Sequence, residues 1–417
     1  MGLAVATSFF AIPIMIHYLG QEQFGVWSTL LSIMSWIVFF DLGLGNGLRN
    51  KLAESVAKNE FYEASRFVSS AYSLIGLISA TLFALLVIAT FVIPWQSVFN
   101  THSIAEPTLR YTVLLAAFFV FINFWISLIN QVLNAVQKTS VVVFGQFVTN
   151  ALSLIFIIIL KLTTVSSLML LALVYGISLV ASNLLLSVWF YRQNRELIPG
   201  FSLDKQHIRP LVSVGIQFFI IQLAVLFIFT TDKILITQLF GPKYVTQYDV
   251  VYKLFSIITI IHALITAPLW SSYTDAYHRG DIIWIKGILR KQLLIVAIIV
   301  LVVIILSLIA RPVIVMWIGR DIEVSIPLVV SMGVFVIVST WNNVFANLVN
   351  GIGMIFPQLI TSIIAMVINV PLSIILVKHY RFGINGIVFA TCLSLAIFAI
   401  VGPIQVHLLL KKESLLQ

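Results

Sequence analysis

Charged residues and cysteine are both scarce in this sequence. Only 9% of its 417 residues are Asp, Glu, Lys or Arg, whereas about a quarter are charged in ordinary soluble domains. Hydrophobic residues make up 60%, which is the composition of a chain that lies largely in a bilayer. The single cysteine, Cys392, excludes an internal disulfide framework and a multi-cysteine metal site.

Motifs for chemistry are also missing. The sequence has no P-loop and no group of His, Asp and Glu with metal-ligand spacing. The net charge of +9 is not gathered into a basic block, so nucleic acid is not predicted as a partner. We therefore predict no enzyme activity, no cofactor, no metal, and no transport powered by ATP bound to this chain.

Long apolar runs dominate what remains. Each is near the ~20 residues that a helix needs to cross a hydrocarbon core of ~30 Å. The pattern predicts an all-α polytopic membrane protein with about twelve transmembrane helices. The predicted spans are 2–19, 24–47, 67–93, 110–135, 140–160, 167–190, 211–239, 246–270, 291–310, 325–349, 357–377 and 386–409.

The distribution of basic residues predicts the orientation of these spans. With a cytoplasmic N-terminus, the inner loops and tail carry fifteen Lys and Arg residues and the outer loops carry seven. This is a clear positive-inside bias. Both termini are therefore predicted to face the cytoplasm, with the first span kept as a membrane helix because no basic segment precedes it.

The chain contains an internal repeat. A shift of 221 residues aligns 14–20 with 235–241 and the loop after the second span with the loop after the eighth. We predict two six-helix lobes of the same orientation, at 1–195 and 211–417, joined by a cytoplasmic linker at 196–210. Their pseudo-twofold axis would run along the membrane normal, with a central cavity between them, as in many transporters.

Two spans carry the same stripe of polar side chains. The stripe is Asn123, Ser127 and Asn130 in the fourth span, and Asn343, Asn347 and Asn350 in the tenth. The spacing places each trio on one helix face. These amides either join helices or form a polar cavity wall that hydrogen-bonds sugar hydroxyls.

Four charges lie deep in apolar surroundings, namely Asp232, Lys233, Asp249 and Lys253. Charged side chains inside a membrane are costly and should face the protein interior. Asp249 and Lys253 have the favourable i,i+4 spacing of an ion pair. A structural pairing between spans seven and eight is one interpretation. The other assigns the lysines to substrate binding and the aspartates to ion coupling.

Weaker candidates lie nearer the membrane surfaces. His17 and Asp41 are candidates for ion coupling, although an interfacial histidine is commonly just solvated. Arg49, Lys51 and Arg279 are candidates for attracting a lipid phosphate, or they are ordinary positive-inside anchors. The glycines of 41–51 do not form a phosphate loop, and they favour a kink or a close helix approach.

Three segments resemble one family. They are Ile12–Trp27 (IPIMIHYLGQEQFGVW), Asp41–Asn50 (DLGLGNGLRN) and Thr231–Ile236 (TDKILI). The chain resembles the Wzx-type flippases of O-antigen and related polysaccharide repeat units, within the multidrug/oligosaccharidyl-lipid/polysaccharide (MOP) exporter superfamily. The resemblance implies a two-lobed fold like that of the MATE transporters, with a V-shaped cavity.

The resemblance also implies a function. Such a protein moves an undecaprenyl-diphosphate-linked oligosaccharide across the bacterial cytoplasmic (inner) membrane by alternating access, driven by an ion gradient or the membrane potential. Its other partners would be membrane lipids and the polysaccharide polymerase and chain-length machinery, within lipopolysaccharide biosynthesis.

Two alternatives remain open. A multidrug cation antiporter of the same superfamily would need an anionic pocket, but Asp41, Asp232 and Asp249 lie near basic residues. A membrane-embedded polysaccharide polymerase or ligase usually has a large outer loop, and the loop 94–109 offers little beyond His102 and Glu106. The internal repeat favours a two-lobed transporter over such an enzyme.

Overall fold

The computed structural model describes residues 2–266, 268–319, 322–354 and 356–416, and every regular element in these ranges is helical. The first eight helices are α1 Gly2–Ser35, α2 Leu44–Ala57, α3 Phe61–Thr90, α4 Trp95–Val98, α5 Glu106–Ile126, α6 Leu128–Ala135, α7 Thr139–Thr163 and α8 Leu168–Gln193. The others are α9 Lys205–Phe240, α10 Pro242–Thr266, α11 Leu269–His278, α12 Ile282–Ile318, α13 Ile326–Gly351, α14 Phe356–Lys378 and α15 Asn385–Leu416. Short 3-10 helices lie at Trp36–Asp41 and Arg195–Leu197.

The helices confirm a polytopic membrane protein. Within the described part of the chain, nine helical segments are long and apolar enough to cross a bilayer, and they coincide with predicted spans three to six and eight to twelve. The other three predicted spans lie on α1 and α9, which are also helical. Between the first two spans, α1 bends at Gly20, whose φ of 78° and ψ of 170° are accessible almost only to glycine.

The end of the second span differs from the prediction of 24–47. The chain leaves the span in a 3-10 helix that ends at Asp41, turns through Leu42 and Gly43 with φ of 48° and 76°, and starts the separate helix α2. The Asp41 carboxylate accepts hydrogen bonds from the Gly45 N–H at 3.0 and 3.3 Å. It thereby satisfies a free N–H in the first turn of α2. Hydropathy alone missed this turn because leucines continue across it.

A close backbone approach holds α2 in place. A Cβ added at Gly47 would overlap the carbonyl oxygen of Leu211, at the start of the apolar part of α9. Leu44, Leu48 and Leu52 are fully buried in a core with α3, α6 and α8. The predicted kink and close approach in this glycine-rich segment are therefore both present.

Local geometry repeats at the same offset as the sequence. Asn59 before α3 and Gly280 before α12 both have positive φ, at 59° and 72°. The bends at Gly20 and Gly241 match in the same way, with φ of 78° and 97°. The order of packing repeats as well, since α3, α5, α8 and α7 contact one another in sequence, as do α12, α13, α15 and α14.

The contacts divide the chain into two compact units. One comprises Met1–Leu223 and Gly241–Lys243, and the other Ala224–Phe240 and Tyr244–Gln417. The division falls inside α9, because Leu211 and the first turns of this helix pack into the core of the first unit. Lobes at 1–195 and 211–417 with a linker at 196–210 stay a prediction.

An irregular segment at residues 198–204, which we name the strap, follows α8 and lies along α3. Its backbone N–H groups at Gly200 and Ser202 donate hydrogen bonds to the hydroxyls of Ser69 and Ser73, at 3.0 and 2.8 Å. The strap is therefore fastened to α3 through two serines one turn apart.

Charged groups fasten the end of the strap. Asp204 pairs with Arg66 at 3.3 Å, and the His207 ring lies 3.0 Å from Asp204 and 2.9 Å from Glu63. The backbone N–H of Gln206, followed by His207 and Arg66, holds the pKa of Asp204 below its usual range. Asp204 therefore stays ionised near neutral pH and keeps these contacts.

Candidate functional site

The second unit contains a buried carboxylate within its apolar helices. Asp232 of α9 is only 3% exposed. It accepts a hydrogen bond from the Thr391 hydroxyl of α15, with oxygen distances of 3.1 and 3.3 Å, and another from the Tyr248 hydroxyl of α10 at 3.3 Å. Three helices thus converge on one acidic group.

A fourth helix, α14, adds another polar residue to the set around Asp232. Asn369 of α14 is fully buried and donates a hydrogen bond to the Thr391 hydroxyl at 2.9 Å. Its own Oδ1 has no hydrogen-bond partner among the residues that the structure describes. We name Asp232, Tyr248, Asn369 and Thr391 the acidic cluster. A carboxylate with neutral oxygens around it can accept a proton or hold a small cation.

The neighbouring positive charge is paired across two helices. Lys233 of α9 contacts Asp249 of α10 at 2.7 Å. This ion pair joins α9 to α10, as the interpretation of a pairing between spans seven and eight expected. Lys253 lies close enough to interact electrostatically with both Asp249 and Lys233.

Aromatic rings border these charges. Tyr248 stacks on Tyr252 with ring centroids 6.0 Å apart and planes inclined by 5°, and Tyr252 contacts Phe335 of α13 at 6.3 Å. Sequence reasoning missed Tyr248, Thr391 and Asn369 as members of the site. Each of these residues is a single polar side chain in an apolar span. A single residue forms no repeated spacing, so the sequence pattern does not distinguish it from an ordinary packing residue.

In the first unit, the predicted asparagine stripe faces a third asparagine. Asn183 of α8 donates to Asn123 at 2.7 Å and accepts from Asn130 at 3.1 Å. Ser127 between them donates to the carbonyl of Phe124 at 3.1 Å. The stripe therefore lies on one face, as predicted, and its two amides join the fourth span to α8.

The second stripe is organised differently. Asn347 donates to the Oδ1 of Asn343 at 2.7 Å, and the Thr266 hydroxyl of α10 donates to the same oxygen at 3.1 Å. Asn350 lies one residue before the end of α13, where its carbonyl accepts from the Gly353 N–H at 3.2 Å. The stripe thus connects α13 to α10 at Asn343 and reaches the helix end at Asn350.

Two of the predicted lipid-phosphate residues, Lys51 and Arg279, pair with an acidic residue three or four positions away in the chain. Lys51 and Lys58 both contact Glu54, at 2.8 and 2.7 Å, and these two lysines lower the pKa of Glu54 to about 2. Arg279 pairs with Asp275 at the equivalent position of the second unit. Both copies of the repeated loop thus contain an ion pair between a basic residue and the acidic residue four positions before it.

The remaining candidates lie in the first unit, apart from the acidic cluster in sequence. Arg49 is exposed on α2, and Asp41 serves the first turn of that helix. His17 is half-buried on α1, one turn before the bend at Gly20. The structure gives Asp41 a local structural role and leaves the coupling role of both residues as a prediction.

Comparison with known proteins decides the family. Residues 3–274 match the family model described as Polysaccharide biosynthesis protein. The chain belongs to this family. A protein of Salmonella typhimurium named as an O-antigen transporter is 22% identical over 399 residues, which are 93% of this chain and 89% of that protein. A protein of Yersinia pseudotuberculosis named as an O-antigen export protein is 20% identical, over 85% of this chain and 82% of its own length.

A solved structure confirms the fold of this member of the polysaccharide biosynthesis family. The inward-facing conformation of a multidrug resistance MATE family transporter of the MOP superfamily has a TM-score of 0.78 to this chain, at 16% identity. The similarity covers 98% of this chain and 95% of the other. The predicted MATE/MOP-like, all-α membrane fold is therefore confirmed.

Proposed function

We propose that this protein is a flippase that moves a lipid-linked oligosaccharide, an O-antigen or related repeat unit on undecaprenyl diphosphate, from the inner to the outer leaflet of the bacterial cytoplasmic membrane. Membership of the polysaccharide biosynthesis family supports the substrate class. The relatives named for O-antigen transport and export match nearly the whole chain. The observation that carries the mechanism is the charged and polar centre at Asp232, Lys233 and Asp249 within apolar helices.

The substrate needs such a centre. Its lipid tail can stay in the bilayer, while its hydrated, dianionic headgroup needs polar and cationic groups along the path. Lys233 and Lys253 supply positive charge, and Asp249 holds Lys233 when no substrate is present. On binding, the diphosphate would replace Asp249 as the partner of Lys233. This exchange keeps Lys233 compensated, and Lys253, which interacts electrostatically with Asp249, would then compensate that carboxylate.

Coupling to an ion gradient is assigned to the acidic cluster. Protonation of Asp232, or binding of a small cation there, would change the charge that Lys233 and Lys253 experience. The unmatched oxygen of Asn369 supports a ligand in this cluster. The repeat of helix geometry supports a transporter built from two lobes.

Other parts of the proposal concern the membrane surface. Arg49, Lys51 and Arg279 would attract the diphosphate to the cytoplasmic entrance, with both termini on that side. The asparagines of the two stripes, Asn123, Asn130, Asn343, Asn347 and Asn350, would contact sugar hydroxyls or hold the helices that do. The product would pass to the polymerase and chain-length machinery, and the protein itself would catalyse no covalent step.

The likeness to multidrug transporters concerns the fold alone, since identity is 16%. The test is reconstitution of purified protein in liposomes with a lipid-linked oligosaccharide and an imposed ion gradient. We expect the oligosaccharide to become accessible to an added glycosidase faster than in protein-free liposomes, and the Asp232→Asn variant to lose the dependence on the gradient. No acceleration by the wild-type protein would contradict the proposal.

A further inference from the structure

A cavity of about 390 Å³ lies in the second unit between α12, α13 and α15, where α12 begins and α15 ends. By the positive-inside bias, this is the predicted cytoplasmic end of these helices. Its floor is apolar and includes Phe345, Val406 and Leu410. The mechanism proposed for the acidic cluster does not involve this cavity.

The rim of the cavity is cationic. Lys286 of α12 faces His407 and Lys411 of α15 across it, and none of the residues that line it is acidic. His407 and Lys411 are four residues apart and lie on the same face of α15. Lys286 is exposed and makes no ion pair with any residue that the structure describes. The cavity thus combines an apolar floor with two ammonium groups.

An exposed apolar strip leads away from this rim. It consists of Ile400, Ile404 and Leu408 on α15, which are 64%, 54% and 60% exposed. Their spacing of four residues keeps them on one helix face, which runs from the rim toward the middle of the membrane. A hydrocarbon chain is the natural neighbour of such a strip, because the bilayer provides it at this depth.

We propose that this cavity binds an anionic phospholipid of the inner leaflet, with its phosphodiester between Lys286 and Lys411 and an acyl chain along the strip. Basic pockets between transmembrane helices on the cytoplasmic side are suited to anionic headgroups. The strip carries no polar group, so a hydrated oligosaccharide has no path onward from the rim. The occupant is therefore a resident phospholipid and not the transported lipid, and the proposal does not rest on the proposed function.

Native mass spectrometry of the purified full-length protein tests this site. The protein in a neutral detergent is titrated with dioleoylphosphatidylglycerol or with dioleoylphosphatidylcholine, and bound lipids are counted. Wild-type protein should retain the phosphatidylglycerol preferentially. Each lysine near a membrane surface contributes about 1 kcal/mol, so Lys286→Gln should weaken phosphatidylglycerol binding about fivefold and Lys286→Gln/Lys411→Gln about 30-fold. Phosphatidylcholine binding should not change.

A matched control removes the same charge from the same predicted side. Lys58→Gln/Lys205→Gln should leave phosphatidylglycerol binding within about twofold of wild type, and all variants should melt at the wild-type temperature in phosphatidylcholine. Equal losses in the control and in the rim variants would overturn the proposal, because binding would follow net charge alone. Displacement of phosphatidylglycerol by an equimolar polyprenyl diphosphate would assign the cavity to the transported lipid instead. Glycerol 3-phosphate carries the phosphate but no acyl chain. If it competes with phosphatidylglycerol as well as a phospholipid does, the apolar strip takes no part in binding.

Discussion

The Lys233–Asp249 pair has a structural role and a proposed functional role, and a single and a double variant can separate the two. Replacing Lys233 with Met removes the ion pair of 2.7 Å that compensates Asp249 among apolar helices, which should destabilise the protein by roughly 3 kcal/mol. Replacing both residues, as Lys233→Met/Asp249→Asn, should recover most of the lost melting temperature in detergent, because it removes one charge of each sign and leaves the net charge around Lys253 unchanged. Export should stay absent in the double variant if Lys233 binds the diphosphate.

Lys58→Met is the matched control for this experiment. Its partner Glu54 is exposed and keeps Lys51, so the melting temperature should stay at the wild-type value. Surface polysaccharide and protein abundance are measured together for each variant. A stable double variant that exports normally would make the pair purely structural.

Individual contacts also show which features of the site the sequence predicts and which it does not. Helical spacing correctly placed Asn123 and Asn130 on one face, because that spacing is a local property. It could not find Asn183, since a single amide in an apolar span has no partner within its own helix. Likewise the local rule marked Lys253 as a neighbour of Asp249, while the contact of Lys233 with the same carboxylate depends on the packing of α9 on α10.

At the scale of elements, the glycines of α2 give a matched pair of substitutions. Gly47→Ala should destabilise the protein by about 1–3 kcal/mol, because the new methyl group overlaps the backbone carbonyl of Leu211. Gly45→Ala meets no backbone atom, only the side chains of Gln131 at 3.3 Å and Asp41 at 3.4 Å, and gains helix propensity of up to about 1 kcal/mol. It should therefore be neutral or stabilising. Thermal unfolding in detergent distinguishes the two, and equal effects would contradict this packing of α2 on α9.

The strap allows a second prediction at this scale. Ser69→Ala/Ser73→Ala removes both acceptors for the Gly200 and Ser202 amides, so hydrogen exchange at these two amides should accelerate by about tenfold or more. Ser79→Ala is the control, because Ser79 lies on the same helix but bonds the Phe121 carbonyl. Unchanged exchange at Gly200 and Ser202 would show that the strap is held elsewhere, for example by Arg66 and Asp204.

Most elements follow from the sequence, but two boundaries do not. Long apolar runs specify the spans because bilayer thickness sets their length. The end of the second span was missed, since the turn at Leu42 and Gly43 depends on positive φ angles and not on hydropathy. The strap contains Pro199 and Gly200, which are typical of a loop, but its attachment to α3 depends on contacts more than a hundred residues apart in the chain.

At the scale of the whole molecule, the internal repeat relates the fold to the proposed function. Matching turns at Asn59 and Gly280 and matching helix packing indicate that one supersecondary plan was used twice. The copies are chemically unequal, since Asp232, Lys233 and Asp249 occupy the positions at which the first copy has Ala11, Ile12 and Ser28. This asymmetry fits a transporter in which one lobe carries the coupling charges.

The most direct measurement is the sidedness of lipid-linked oligosaccharide in a strain that lacks this protein. Complete repeat units on undecaprenyl diphosphate should accumulate facing the cytoplasm, with surface polysaccharide lost and sensitivity to cationic drugs unchanged. Re-expression of the wild-type chain should restore both sidedness and surface polysaccharide. Repeat units that still reach the outer leaflet without the protein would contradict the flippase assignment.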